Sequence, residues 1–291
     1  MFHGFPNPVA TTVSNEPLYH PSMQPNDTLP HVTWCPTGPL VFLPLHAAGI
    51  YPKDKHDQTP PQTIMDIAVS SYTPTLEALL KPRTKKPADG GCPKTLIVSQ
   101  PNTPGCSPIS GTIEEAATVA SLLDLSASKT LNNTEGTVDA VLEGMETHSW
   151  IHLACHGIQN CEDPLNSAFA LYDGRLTLGT LMSKHLPNAD LAVLSACQTA
   201  TGDERLSEEA VHLAAGMLNV GYKSVIGTMW SISDRIAPVV MKKFYEVMAE
   251  QVRAGGELQP AYALHEATKA LREKYGVWDF VRWMPFVHFG L

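Results

Sequence analysis

A three-layer α/β fold with a mostly parallel central sheet and helices on both faces is what this sequence predicts. Three observations carry the prediction. Over 291 residues, 43% are hydrophobic and 17% charged, an ordinary globular balance with enough apolar material for a large core. From residue 95 onward, short apolar runs alternate regularly with amphipathic segments of helical length. Each parallel crossover needs such a helix, so alternation of this kind builds a covered parallel sheet.

The elements follow in chain order. Residues 1–30 carry Pro6, Pro8, Pro17, Pro21, Pro25 and Pro30 among polar residues, without a sustained apolar period, and read as a flexible lead-in. From His31 to Ala48, two short apolar runs around Pro36-Thr37-Gly38-Pro39 predict an amino-terminal β-hairpin. Ile64 to Tyr72 is expected to be a strand, and the Lys/Pro/Gly-rich stretch from Lys81 to Cys92 a surface loop or boundary. Residues 31–90 thus form an amino-terminal part and 91–291 the core. Strands are predicted at Thr95–Ser99, Trp150–Cys155, Leu191–Ala196, Ser224–Trp230 and Phe286–Leu291. Helices are predicted at Ile113–Leu125, Val138–Thr147, Glu208–Asn219 (closed by Gly221), Ile236–Ala249 and Gln259–Tyr275. Asp173-Gly174 marks a two-residue turn, which makes Ala168–Leu178 a hairpin.

Charge and cysteine usage narrow the function classes. The formal net charge of −9 supplies no positive field for phosphates or an anionic membrane, so nucleic acid and membrane are not expected partners. No stretch approaches the roughly 18 apolar residues of a membrane span, and residues 1–16 lack the pattern of a signal peptide. Six cysteines without paired spacing suit a reducing, cytoplasmic setting in which thiols are available for chemistry. There is no Cys-x-x-Cys, and His152 with His156 has no further ligands at useful spacing, so neither a metal nor another cofactor is expected.

In open α/β sheets reactive groups gather at the carboxyl ends of strands. Two predicted strand ends carry chemistry here. One closes Ala154-Cys155-His156-Gly157 and the other Ser195-Ala196-Cys197-Gln198-Thr199, which places an imidazole and a thiol in comparable positions. A thiol is a weak nucleophile until deprotonated, and a histidine beside it serves as general base and later protonates the leaving amine. The backbone N–H groups of Gly157 and Cys197 are candidate donors to the oxyanion of a tetrahedral intermediate. Cysteine in an apolar strand is also a common core residue, and a strand-end histidine is often only a hydrogen-bonded polar group. Cys155 is a rival thiol, but alternation along the strand turns it to the face opposite His156, into the core.

Several blocks now stand in order: His152 to Gly157, Asp163 to Ser167, Asp173 to Thr177, Leu194 to Thr199 and Gly227 to Asp234. Together with Trp34 to Leu40 and Pro44 to Gly49, they resemble the CHAT domains of the caspase and separase group of cysteine peptidases, over about residues 31–291. Cys197 follows His156 by 41 residues, near the caspase spacing of about 50. The resemblance implies a caspase-like fold, with His156 as base, Gly157 at the oxyanion and Cys197 as nucleophile of an endopeptidase. It also implies a regulated signalling or cell-death and defence role.

By the same resemblance to separases, Asp234 stands where an acidic residue accepts a basic side chain at the cleavage position, so cleavage after Arg or Lys is expected. Ser233 or Asp234 is equally well read as the N-cap of the following helix. Trp230, Ser231 and Ser233 are expected to pair with the substrate backbone as an added strand. The partner is therefore a protein or peptide substrate, and a regulatory domain of a longer protein is a second one, since the chain reads as a terminal piece of a larger molecule. The competing reading is a non-catalytic interaction module of a receptor or repeat protein. A thiol hydrolase of small molecules would use the same dyad with a closed pocket.

Overall fold

The computed structural model of the chain describes residues 29–54, 59–80, 93–123, 127–158, 160, 162–195 and 209–290. Residues 1–28 of the predicted lead-in, the stretch from Lys81 to Cys92 and Cys197 lie outside the described residues.

The amino-terminal part contains β1 (His31–Trp34), β2 (Gly49–Ile50), β3 (Gln62–Thr63), α1 (Ile64–Ile67), β4 (Val69–Tyr72) and α2 (Leu76–Leu80). The core continues with β5 (Thr95–Ser99), α3 (Gly111–Leu122), β6 (Ser128–Asn132), α4 (Val138–Thr147) and β7 (Trp150–Ala154). Then come β8 (His156–Ile158), β9 (Ala168–Ala170), β10 (Arg175–Thr177), α5 (Leu178–Met182) and β11 (Leu191–Leu194). The chain closes with α6 (Glu209–Val220), β12 (Ser224–Thr228), α7 (Ala237–Ala254), α8 (Pro260–Tyr275), α9 (Phe280–Trp283) and β13 (Phe286–Gly290).

The main sheet has eight strands in the order β1-β4-β13-β12-β11-β7-β5-β6. Every pairing is parallel except β12 with β13. Its two faces bury different helices, as alternation along the strands requires. Leu96, Val98, Ile151, Leu153, Ala192 and Leu194 pack with α4, α5 and α6. Ile97, Trp150, Leu191 and Val193 pack with α3, α7, α8 and α9. This is the three-layer α/β fold predicted. A separate small sheet, β10-β9-β8, is antiparallel and contains the hairpin expected at Asp173-Gly174. No helix among the described residues is long and apolar enough to cross a membrane.

Differences from the sequence prediction have local causes. The hairpin expected across His31–Ala48 does not form. β1 pairs in parallel with β4, while Gly38–Phe42 and Leu45–Ala47 are 3₁₀ turns. Pro39 and Pro44 lack the N–H a second strand would donate, and Pro39 suits the first turn of a helix. The short antiparallel pair in this region is β2 with β3 instead. Ile64 to Ile67 is a helical turn rather than strand, because the Thr63 N–H and Oγ1 both donate to Asp66 Oδ2, at 2.9 and 2.7 Å. Arg272 of α8 then grips Asp66 at 2.7 Å. β6 has no counterpart in the sequence prediction because it is an edge strand in which only Leu131 is buried, which leaves no apolar run. Gly221 does close α6, with φ of +125°, a conformation that favours glycine.

At the amino ends of β7, β11 and β12, Asp190 accepts from Trp150 Nε1 at 3.2 Å and from Lys223 Nζ at 3.0 Å. Trp150 is buried, whereas the Lys223 and Asp190 side chains are each about a third exposed. Losing the indole's acceptor therefore matters more than losing the screened ion pair. Asp190→Ala is expected to lower stability in urea unfolding by about 1–3 kcal/mol, with Asp190→Asn, which keeps an acceptor, closer to wild type. An unchanged midpoint in Asp190→Ala would remove this tie from the account.

His46 links the amino-terminal part to the sheet. Its Nε2 donates to the Met284 carbonyl at 2.9 Å, which leaves Nδ1 to accept from the Tyr72 hydroxyl at 2.8 Å. Burial lowers its pKa to about 4 against the opposing effect of the Met284 bond. Between about pH 6.5 and 4 the unfolded ring binds a proton that the folded ring does not, so stability is full above that window and falls as the pH drops through it. The urea midpoint of wild type is expected to fall across that window more steeply than that of His46→Gln. Parallel slopes in the two proteins would show that other groups carry the acid sensitivity.

Candidate functional site

Because β5, β7, β11 and β12 are parallel neighbours, their carboxyl ends open on one edge of the sheet. The chain bends at Cys155 as it leaves β7 and enters β8, where His156, Gly157 and Ile158 pair with Ala170, Phe169 and Ala168. His156 is thus the first residue of a strand rather than part of a loose loop. It is buried, and Gly157 beside it is buried as well.

The segment after β5 covers the imidazole. Gln100 N–H extends the ladder by donating to the Ala154 carbonyl at 2.9 Å, and the chain then turns back on itself through Ile109 N–H to Pro101 O at 3.0 Å. This brings the Ser107 carbonyl to 2.8 Å from His156 Nε2. A carbonyl can only accept, so Nε2 carries the proton, and the neutral ring keeps its lone pair on Nδ1. A ring held in one tautomer with a basic nitrogen is equipped for general base chemistry. Sequence gave no sign of Ser107, since the group used is a backbone carbonyl that any residue would carry.

Cys155 behaves as the sequence predicts. It is fully buried among Leu153, Phe169 and Leu171, and burial, with a smaller contribution from nearby Cys106, pushes its thiol up to about 12. Such a thiol is inert near neutrality. Cys197 lies outside the described residues, and Ser195, the nearest described residue before it, is buried.

Trp230, Ser231, Ser233 and Asp234 follow β12. Trp230 is half-buried and packs against both faces' cores, while Ser231, Ser233 and Asp234 are exposed. α7 begins only at Ala237, with Ile236 in the capping position, so neither Ser233 nor Asp234 is its N-cap. Ser233 instead closes a turn, its carbonyl accepting from Ile236 N–H at 2.8 Å. Asp234 is pressed against the start of α3, where a Cβ on Gly111 would collide with the Asp234 carbonyl oxygen. The segment 101–111 therefore touches both His156, through Ser107, and Asp234, through Gly111. Among the described residues no group of three or more histidine, cysteine or carboxylate side chains converges as a metal site would.

The fold has known relatives. Gingipain R, an Arg-specific cysteine proteinase, aligns with a TM-score of 0.57 at 12% identity, over 83% of this chain and 58% of that one. A complex of the pro- and mature domains of the same proteinase from Porphyromonas gingivalis aligns at 0.50 and 12%, over 77% and 55%. Separase of Saccharomyces cerevisiae, solved with securin, aligns at 0.54 and 14%, over 78% of this chain and 14% of that one. The chain thus spans little more than half of gingipain R and a small part of separase. No curated protein matches in sequence. The CHAT domain model matches residues 10–290. With that match over nearly its whole length and a caspase-like sheet beneath its candidate site, this chain belongs to the CHAT domain family.

Proposed function

We propose that this domain is a cysteine endopeptidase in which His156 is the general base and Cys197 the nucleophile. The observation that carries the proposal is the register of two central strands. Leu153 of β7 and Leu194 of β11 are partners on adjacent parallel strands, and His156 and Cys197 each come three residues later. The Nε2–H tautomer of His156 supports it, since the base nitrogen is then Nδ1.

In this reading His156 Nδ1 takes the proton of the Cys197 thiol, and the thiolate attacks the scissile carbonyl carbon. The oxyanion is held by the backbone N–H groups of Gly157 and Cys197. As the C–N bond breaks, the imidazolium returns the proton to the leaving amine, and a thioester remains. Water, deprotonated by the same imidazole, then hydrolyses the thioester and regenerates the thiol.

Asp234 receives a basic side chain at the cleavage position, and Trp230, Ser231 and Ser233 align the peptide backbone. The exposure of Asp234 beside the segment that holds His156 supports this, as does the Arg specificity of gingipain R. A protein partner regulates the domain, either a separate chain or a domain of the same full-length protein. Separase solved with securin, and gingipain solved with its pro-domain, are the precedents. The free thiols of Cys35, Cys106 and Cys155 suit a reducing cytoplasm, and the resemblance to the caspase and separase group carries the signalling or defence role.

A peptide library incubated with the 291-residue chain tests the dyad. Cleavage is expected after Arg and Lys, falling by at least about 10³-fold in Cys197→Ala. Undiminished cleavage in that variant would overturn the dyad. A wild-type chain that neither cleaves nor reacts with a cysteine-directed activity probe would favour the interaction module.

Specificity is tested separately. Asp234→Asn is expected to lower kcat/KM on arginyl peptides by about tenfold to a hundredfold while sparing residual cleavage at neutral residues. Cleavage confined to sites after Asp or Leu would overturn the assignment of Asp234.

A further inference from the structure

Beneath the site, α3, β7 and α7 meet at a group of buried polar side chains that the proposed chemistry does not use. Glu115, His152 and Tyr245 are 2%, 0% and 0% exposed. His152 Nε2 lies 3.2 Å from Glu115 Oε1, a polar contact that is not aligned as a hydrogen bond. On the ring's other side, Nδ1 is 3.3 Å from the Tyr245 hydroxyl, and the two rings meet edge to face with centroids 5.6 Å apart. Burial, reinforced by the Glu115 carboxylate, holds the Tyr245 phenol well above its usual range.

A carboxylate and an imidazole in a dry core are costly to bury, and apolar side chains of similar volume generally fill such space as well or better. What the pair supplies is a fixed position. Glu115 lies eight residues after Ser107, and His152 four residues before His156. The same two stretches of chain therefore touch twice, once in the core through Glu115 and His152 and once at the site through Ser107 O and His156 Nε2. α3 is also packed on this face through Ala116 and Val119, and the Glu115–His152 contact adds a polar point that fixes where α3 sits along β7. Gly111, midway between Ser107 and Glu115, bears on the Asp234 backbone, so the same restraint reaches the segment after β12.

We propose that Glu115 and His152 are a positioning pair for His156. By docking α3 on β7 they hold the Ser107 carbonyl on Nε2 and so keep the ring's lone pair on Nδ1. The inference rests on the reading of His156 as the general base, but its test does not need turnover. Nitrogen-15 NMR of the histidines in the Cys197→Ala chain, with the His156 signals assigned by their loss in His156→Gln, reads the tautomer directly. The parent is expected to show a single Nε2–H form. Glu115→Ala is expected to show a mixture of both tautomers at His156, and Glu115→Gln, which keeps the shape and a polar contact to His152, to restore the single form. Where Glu115→Ala does not unfold cooperatively, Tyr245→Phe replaces it, and a measurable second tautomer is expected there too.

A single unchanged Nε2–H tautomer in a cooperatively folded Glu115→Ala, or in Tyr245→Phe as its replacement, would overturn the proposal. In chains with Cys197 intact, Glu115→Ala is expected to lower kcat by about tenfold to a hundredfold with KM little changed. A KM effect alone would also overturn it. If wild type proves inert while the tautomer shift is present, the peptidase reading fails and the positioning pair stands.

Discussion

β7 is the strand on which the rest of the molecule is built. It is buried along its whole length, with β5 and β11 paired in parallel on either side and helices over both faces. Parallel pairing has a directional consequence that antiparallel pairing lacks: neighbouring strands end at the same edge, and the segments that follow them must share that edge. The loop after β5, the bend after β7 and the segment after β12 come together for this reason. The reversal at β13 ends the run, so β13, β4 and β1 run the opposite way and carry the amino-terminal part along the other flank.

The bend at Cys155 is the second constraint. A strand that simply ended at Ala154 would hand His156 to a loop, with the ring direction set by whatever contacts that loop could find. Instead the chain joins a second sheet at once, and the pairing of β8 with β9 fixes the backbone on either side of the imidazole. Cys155 is swept into the core by the same bend, where burial silences its thiol. Two adjacent residues with reactive side chains are thereby separated, the Cys155 thiol packed into the core and the His156 ring turned to the Ser107 carbonyl.

The sequence showed the central part of this arrangement clearly and its margins poorly. β5, β7, β11, β12 and β13, with α3, α4, α6, α7 and α8, are legible because each apolar run is buried on both faces and each of these helices has one apolar stripe, whereas the short α5 and α9 have too few residues to show one. β6 and the segment from Gly38 to Ala47 are not, since an edge strand needs little apolar surface and prolines disguise a 3₁₀ turn as a hairpin. His156 was visible as a polar residue closing an apolar strand. Ser107 was not, because its contribution is a carbonyl oxygen whose position depends on tertiary contacts. Glu115 and His152 fell between these cases. Glu115 is one residue within a predicted helix and His152 half of an incomplete metal pair, and only the packing of α3 on β7 brings them together.

On the proposed reading of His156 as the base, its orientation by a backbone carbonyl bears on the kind of nucleophile it would serve. A carboxylate in that place would both orient the ring and stabilise its charged form, which a hydroxyl nucleophile needs because it holds its proton so tightly. A thiol ionises near pH 8.5, far more readily, and is nucleophilic as soon as it does. For such a partner, holding the proton on Nε2 and the lone pair on Nδ1 is sufficient, and a neutral carbonyl does this without adding a buried charge beside the ring. Under the proposed positioning role, the restraint comes from geometry rather than from an ion pair, through the docking of α3 on β7. A carboxyl side chain does stand one layer down, at Glu115, where it contacts His152.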